Sequence, residues 1–84
     1  IFEKENLSQH FIHSLGHGVG LEVHELPHLR KTGKEKLLEN MVFSVEPGLY
    51  FDWGGVRIED LVVIKDGKAQ VLGKTQKEMI SLAV

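Results

Sequence analysis

Histidine and glycine are dense in one short stretch, HSLGHGVGLEVHELP, which runs from His13 to Pro27. Its histidines, His13, His17 and His24, are interspersed with glycines, leucines and valines. Neutral imidazoles bind metal ions, and imidazoles also exchange protons near neutral pH. One histidine on an apolar strand is usually an ordinary core residue, but three in one stretch favour a binding or catalytic site.

Acidic residues interrupt two apolar runs further along the chain. Glu46 directly follows one run, and Arg57, Glu59 and Asp60 interrupt residues 56–64. Strand residues flanked in this way are expected to be buried on at least one face of the sheet. A buried carboxylate without a partner costs several kcal/mol, so each acid needs a cation, donors or a proton. The simple alternative is that Arg57 pairs with one acid while the others lie in water. Taken with the histidines, the acids favour a divalent cation: carboxylates suit Mn, Mg or Ca, and imidazole adds affinity for Mn, Fe, Co and Zn.

The histidines cannot all face one side of a regular strand. Alternation places His13 and His17 on one face and His24 on the other. The glycines between them permit a bend or bulge, which would let His24 reach the same cavity. The remaining two histidines, His10 and His28, are interpreted as ordinary surface or loop residues, of which His28 is favoured to lie nearer a pocket mouth.

The composition of the 84 residues is that of a globular chain with one domain or part of one. The net charge of −2 predicts neither a nucleic-acid partner nor a basic membrane-binding surface. The absence of cysteine excludes disulfides and thiolate metal sites, and is compatible with a cytoplasmic location. No apolar run approaches the roughly 20 residues of a membrane-spanning helix. Because the first residue is Ile1 and not methionine, we expect a fragment of a longer protein.

Strands dominate the predicted secondary structure. Residues 11–26 are predicted to be extended, because each glycine would cost a helix about 1 kcal/mol. The β-branched and aromatic content of residues 41–45, 56–64 and 69–72 is typical of strands. Asp66-Gly67 is a favoured two-residue hairpin turn between the last two of these strands.

Turns and short helices complete the prediction. Pro47-Gly48 is predicted to close the strand before it, and residues 52–55 form another turn. Two capping-box spacings, at residues 32–35 and 75–78, predict short helices. Residues 1–9 are interpreted as the tail of a further helix.

Three motifs in order, HSLGHGVGLEVHELP, MVFSVEPGLY and GGVRIEDLVVI, closely resemble the pita-bread metallopeptidases. Within that family the chain looks most like the branch of Xaa-Pro dipeptidase (prolidase) and aminopeptidase P. The resemblance covers the chain from about His10 to Leu82. It implies an α+β fold, the C-terminal half of a pita-bread domain, with a curved and mainly antiparallel sheet and flanking helices. Residues 1–84 would then be the C-terminal segment of a catalytic domain whose upstream half is absent.

The resemblance also implies a cofactor and its ligands. It assigns metal-binding roles to His17, Glu46 and Glu59, which would hold two divalent ions together with residues elsewhere. Mn or Co is expected, and Zn and Fe also tolerate this donor set. Such an ion pair activates water and polarises a scissile carbonyl.

Further roles follow from the same resemblance. Glu46 would also move a proton to and from the attacking water, and His24 would bind the substrate and stabilise the tetrahedral intermediate. His13 would be a second substrate-binding histidine, and Arg57 would hold the acids in register. The expected partner is a peptide with proline at its second position.

One departure limits what the chain can do alone. The family also uses two aspartates from an earlier strand pair, and none of Asp52, Asp60 or Asp66 occupies the corresponding place. With at most three of five ligands, these 84 residues are expected to have little or no peptidase activity. Half of such a sheet would expose apolar surface, so we also expect the chain to form homo-oligomers or aggregates.

Two alternatives remain beside the enzyme. One is a pita-bread protein-binding module without catalytic activity, and the other is a creatinase-like hydrolase that needs no metal. His17, Glu46 and Glu59 are all retained, which a decayed or metal-free site need not do. The ligand set therefore favours a metallopeptidase.

Overall fold

The computed structural model describes residues 1–83, and antiparallel strands make up nearly all of its regular structure. In chain order the strands are β1 (Gly16–Gly18), β2 (Glu25–Leu29), β3 (Val42–Val45), β4 (Gly48–Phe51), β5 (Gly54–Arg57), β6 (Asp60–Lys65) and β7 (Lys68–Val71). The helical structure in this range is one 3₁₀ turn at Ser8–His10. None of these residues forms a helix with the length and apolar character needed to cross a bilayer.

The main sheet has five strands in the order β2-β1-β3-β6-β7, so β3 lies at its centre. Phe43 of β3 lies directly opposite Val62 of β6. These two side chains are only 3% and 5% exposed and form the hydrophobic core. Ser44, the next residue of β3, is completely buried. The centre of the sheet therefore carries both the core and a buried hydroxyl.

The β6–β7 hairpin confirms the turn predicted from the sequence. Lys65 pairs with Lys68, and the two residues between them, Asp66 and Gly67, have φ angles of 53° and 73°. Both angles are left-handed, as a two-residue hairpin turn of type I′ requires. The Glu39 carboxylate accepts hydrogen bonds from both turn amides, at 2.7 and 3.2 Å. A side chain from another loop thus holds the turn.

The β4–β5 hairpin is a separate two-stranded sheet and corrects two predictions. Gly48 does not close a strand but begins β4, where it pairs with Arg57. The predicted strand 56–64 is interrupted at Ile58 and Glu59. The physical reason is that its first part pairs with β4 while its second part pairs with β3. The Ile58 N–H donates to the Pro47 carbonyl at 3.1 Å, which fixes the junction.

The glycine-rich stretch 11–26 is less regular than predicted. Within this stretch, residues 16–18 form β1 and residues 25–26 begin β2. The register between the two strands slips between His17, which pairs with His28, and Gly18, which pairs with Glu25. The bulge that the glycines predicted is therefore present. The following residues bend, which returns His24 toward β1.

The predicted helices are wrong, and the flanking helices of the expected α+β fold do not form within residues 1–83. At residues 32–35, the Glu35 carboxylate accepts from the adjacent Lys34 N–H at 3.1 Å, so it completes no capping box. After residue 75, Met79 and Leu82 are 93% and 80% exposed. Short helices need tertiary packing of an apolar face, and these apolar side chains remain exposed in the part of the chain that the structure describes. Residues 1–9 form turns leading into the 3₁₀ turn.

Candidate functional site

Three separate chain segments meet at one end of the main sheet. The β3–β6 register pairs Val45 with Asp60, so the residues beyond this pair, Glu46 and Glu59, follow on adjacent strands. The β4–β5 hairpin returns the chain so that Arg57 lies beside Gly48. Pairing of β1 with β3 places a third segment against the same end of the sheet. Residues far apart in sequence are thus held side by side by backbone pairing.

Gly16 permits the closest part of this packing. A Cβ at Gly16 would overlap the backbone carbonyl of Ser44. Without that Cβ, the Glu46 N–H donates to the Leu15 carbonyl at 2.7 Å, and the His17 N–H donates to the Ser44 hydroxyl at 3.1 Å. Glycine at this position therefore brings the His17 and Glu46 side chains to the same place.

His17 presents one ring nitrogen to the Glu46 carboxylate. Its Nδ1–H donates to the Gly18 carbonyl at 2.8 Å, so Nε2 carries the lone pair of the neutral ring. Nε2 lies 3.4 Å from Glu46 Oε2, with the two side chains 19% and 14% exposed. A lone pair facing a carboxylate oxygen is unfavourable unless a proton or a cation lies between them. A proton or a cation bound between His17 Nε2 and Glu46 Oε2 would therefore stabilise this arrangement.

The surroundings of Glu46 keep its carboxylate ionised. Burial acts to raise its pKa, but hydrogen bonding to Ser44 and Glu59 and coulombic interactions with His17 and Arg57 act against burial. The net effect lowers the pKa of Glu46 below its ordinary value. The carboxylate is therefore available as an anionic ligand or as a proton acceptor.

A cleft of about 430 Å³ surrounds the pair. The residues that line it are His13, Ser14, His17, His24, His28, Glu46 and Arg57. The His24 ring meets the His17 ring edge to face, with centroids 4.6 Å apart. His28, the one favoured over His10 to lie near a pocket mouth, lines the cleft, whereas His10 does not.

A larger groove of about 1030 Å³ adjoins the cleft and shares His13 and Ser14 with it. Its lining is mainly apolar, with Phe2, Phe11 and Leu29 among the contributing side chains. Potential metal-binding and proton-transfer groups are concentrated in the smaller cleft, which is therefore the candidate site.

The donor set suits a divalent cation but is incomplete. An imidazole nitrogen and a carboxylate oxygen converge, and the Glu59 carboxyl is among the groups that lower the pKa of Glu46. Glu59 and Arg57 are nevertheless exposed, which corrects the prediction that these strand residues are buried. Within residues 1–83, no three His, Cys, Asp or Glu side chains form a group that could hold a metal ion. The described residues place candidate ligands side by side, but they do not form a closed metal site.

Two residues of the site were not identified from the sequence. Ser44 accepts a hydrogen bond from the His17 N–H and helps to lower the pKa of Glu46, and Tyr50 places its hydroxyl 2.9 Å from His13 Nε2. Ser44 could have been found by strand alternation, since it lies on β3 two positions before Glu46, which directly follows that strand. Tyr50 offers no comparable signal, because its partner is distant in the sequence.

Comparison with known proteins identifies relatives for most of the chain. The model of metallopeptidase family M24 matches residues 1–66. An Xaa-Pro dipeptidase of Pyrococcus furiosus is 47% identical over 81 residues, which cover 95% of this chain and 23% of that protein. A putative Xaa-Pro aminopeptidase of Mycoplasma pneumoniae is 46% identical over 70 residues, which cover 82% of this chain and 20% of that protein.

Solved structures give the same result. A dipeptidase from Pyrococcus horikoshii superposes with a TM-score of 0.91 at 44% identity, covering 96% of this chain and 23% of that one. A prolidase from Pyrococcus furiosus superposes with a TM-score of 0.85 at 47% identity, and the match covers 90% of this chain and 23% of that one. The mostly antiparallel sheet is therefore shared with these proteins. The chain spans about a quarter of the length of the relatives it matches.

Proposed function

Because the chain belongs to metallopeptidase family M24, we propose that the protein of which it forms part hydrolyses Xaa-Pro peptide bonds. The observation that carries the proposal is the convergence of His17 Nε2 and Glu46 Oε2, 3.4 Å apart in a cleft. The printed names of the relatives supply the substrate class. An intact ligand pair does not favour a role as a binding module alone.

His17, Glu46 and Glu59 would hold divalent metal ions. The His17 ring is held by its Nδ1 hydrogen bond, so Nε2 can donate its lone pair without reorientation. Glu46 and Glu59 would each repel the other as carboxylates, and a dication beside them removes that repulsion. When bound, the ions would supply an activated water and polarise the scissile carbonyl.

The protein side chains around that position would perform the proton transfer and orient the substrate. Glu46, held ionised, would accept the proton of the attacking water and deliver it to the departing nitrogen. His24 lies beside His17 and would donate a hydrogen bond to the substrate oxygen as negative charge develops there. His13, which also lines the cleft, would bind the substrate, and Arg57 would keep the acids in place.

We further propose that these residues form the C-terminal part of a pita-bread catalytic domain, and that the rest of that domain completes the site. The chain corresponds to only 23% of a relative's length. It also leaves apolar side chains in contact with water, including Leu21, which is fully exposed, and Val23 at 83%. The rest of the catalytic domain would supply the further metal ligands and would also cover these apolar side chains.

Manganese titration of the chain tests the ligand assignment. Paramagnetic Mn(II) broadens the NMR signals of nearby nuclei even when binding is weak. We expect selective broadening of His17, His24 and Glu46, and its loss in Glu46→Gln. Glu78→Gln is the matched control, because Glu78 is exposed and lies outside the cleft. Equal broadening in Glu46→Gln, or broadening spread over acidic surface residues, would contradict the assignment.

An activity assay tests the completeness of the site. The chain loaded with Mn(II) or Co(II) is incubated with a dipeptide that has proline at its second position. We expect no turnover above the metal-only background, because only part of the ligand set is present. Turnover that is lost in Glu46→Gln would show that these residues suffice alone.

A further inference from the structure

His13 is hydrogen-bonded at both ring nitrogens. Its Nδ1 lies 2.7 Å from the Ser14 carbonyl, and its Nε2 lies 2.9 Å from the Tyr50 hydroxyl. A carbonyl oxygen only accepts, so the ring hydrogen is on Nδ1. Nε2 of the neutral ring then carries a lone pair and accepts the hydrogen of the Tyr50 hydroxyl. The two contacts together select one tautomer and one ring orientation.

The space around Tyr50 is made by glycines. A Cβ at Gly48 would lie 2.7 Å from the Tyr50 hydroxyl oxygen and 3.1 Å from His13 Nε2. Gly55 pairs with Tyr50 across the hairpin, and a Cβ there would lie 2.8 Å from the Tyr50 ring. Side chains at either glycine would displace the phenol. The hydroxyl therefore reaches His13 only because both neighbours lack a side chain.

The backbone of Tyr50 is held by a second histidine. His10 Nδ1–H donates to the Tyr50 carbonyl at 3.1 Å, and the His10 ring packs on Phe51 with centroids 4.0 Å apart. This contact uses the main chain and does not need the phenol hydroxyl. The β4 strand is thus anchored independently of the contact between Tyr50 and His13.

We propose that Tyr50 is a positioning residue, which fixes His13 in the Nδ1–H tautomer and holds its ring in the wall of the cleft. His13 is the link to the candidate site, because it lines the cleft together with His17 and His24. The consequence for substrate binding rests on the proposed function. The effect of Tyr50 on the tautomer and orientation of His13 is independent of the proposed function.

Removing only the hydroxyl tests the proposal. In Tyr50→Phe, the chain labelled with ¹⁵N is studied at alkaline pH without metal or peptide. One hydrogen bond changes a two-state ratio by about 2- to 10-fold, so the ratio of Nδ1–H to Nε2–H forms of His13 should fall by that factor. The His13 Nδ1 shift then moves toward that of an unprotonated ring nitrogen. Nuclear Overhauser contacts from the His13 ring to Gly48 should weaken as well.

His10 is the control within the same spectrum. Its signals should stay unchanged, because its acceptor is the Tyr50 main-chain carbonyl. Unchanged His13 signals would overturn the proposal. Equal movement of His10 and His13 would also overturn it, because the hydroxyl would then support the whole hairpin and not His13 in particular.

A second variant keeps the phenol and removes its contact. The methyl group of Gly48→Ala would occupy the space between Tyr50 and His13, so the same movement of His13 is expected. His13 signals identical to those of the parent chain would again overturn the proposal. All of these measurements omit metal and substrate, so a failure of the peptidase assignment would leave their result unaffected.

Discussion

Replacing Gly16 by alanine should destabilise the protein severely, because the new methyl group would overlap the Ser44 carbonyl. Hydrogen bonds on both sides of Gly16 hold this contact: the Leu15 carbonyl accepts from the Glu46 N–H, and the His17 N–H donates to the Ser44 hydroxyl. The strands can accommodate the methyl group only by separating. The candidate site would be disrupted by the same movement.

The expected loss of stability in Gly16→Ala is the sum of two contributions, overpacking and weakened hydrogen bonds. Overpacking of a tight contact costs about 1–3 kcal/mol, and more where only backbone can move. Separation also weakens the hydrogen bonds from Glu46 N–H to Leu15 and from His17 N–H to Ser44, at about 1 kcal/mol each. The total is about 3–5 kcal/mol, against a folding free energy of about 4–13 kcal/mol for a chain of this size.

Urea denaturation followed by circular dichroism measures the effect on the free energy of unfolding. Gly73→Ala is the matched control, because a Cβ at Gly73 meets nothing within 4 Å. It should leave the free energy of unfolding unchanged or raise it by up to about 1 kcal/mol, because alanine lowers the conformational entropy of the unfolded chain. A loss below about 1 kcal/mol in Gly16→Ala would refute the close approach of β1 to β3.

Two further substitutions test hydrogen bonds at the centre and at the edge of the sheet. Ser44→Ala should cost about 1–3 kcal/mol in urea denaturation, because the His17 N–H loses its acceptor and a fully buried hydroxyl is removed. Ser81→Ala, at an exposed position, should change nothing, and equal losses would contradict this role. Glu39→Ala should speed hydrogen exchange of the two amides in the β6–β7 turn by about 2- to 10-fold, because both donate to that carboxylate. Unchanged exchange there, or the same change in the exposed Glu78→Ala, would show that Glu39 does not hold the turn.

Local chemistry was enough to predict several elements. The β6–β7 hairpin follows from Asp66-Gly67, whose residue types favour left-handed φ angles between two β-branched runs. The strand at residues 41–45 follows from its apolar and β-branched content. The resemblance to metallopeptidases rested on three ordered motifs, and it is confirmed by the match to the M24 family.

The errors share a physical cause. Capping boxes contribute a hydrogen bond or two, but a short helix also needs a surface on which to pack its apolar face. Residues 75–82 have no such surface, so their local preference is not realised. The break at Ile58 has a similar origin, because the choice between β4 and β3 as a partner depends on distant residues.

The sequence by itself determined the residue types of the candidate site: an imidazole near glycines and carboxylates at the ends of strands. It also determined the family, through the order of the three motifs. Only the tertiary structure decided which atoms meet. His17 Nε2 faces Glu46 because strand pairing and a glycine bring the two backbones together, and Tyr50 reaches His13 across 37 residues because two glycines leave room for it. Such contacts depend on register and free space between distant segments, which no local pattern encodes.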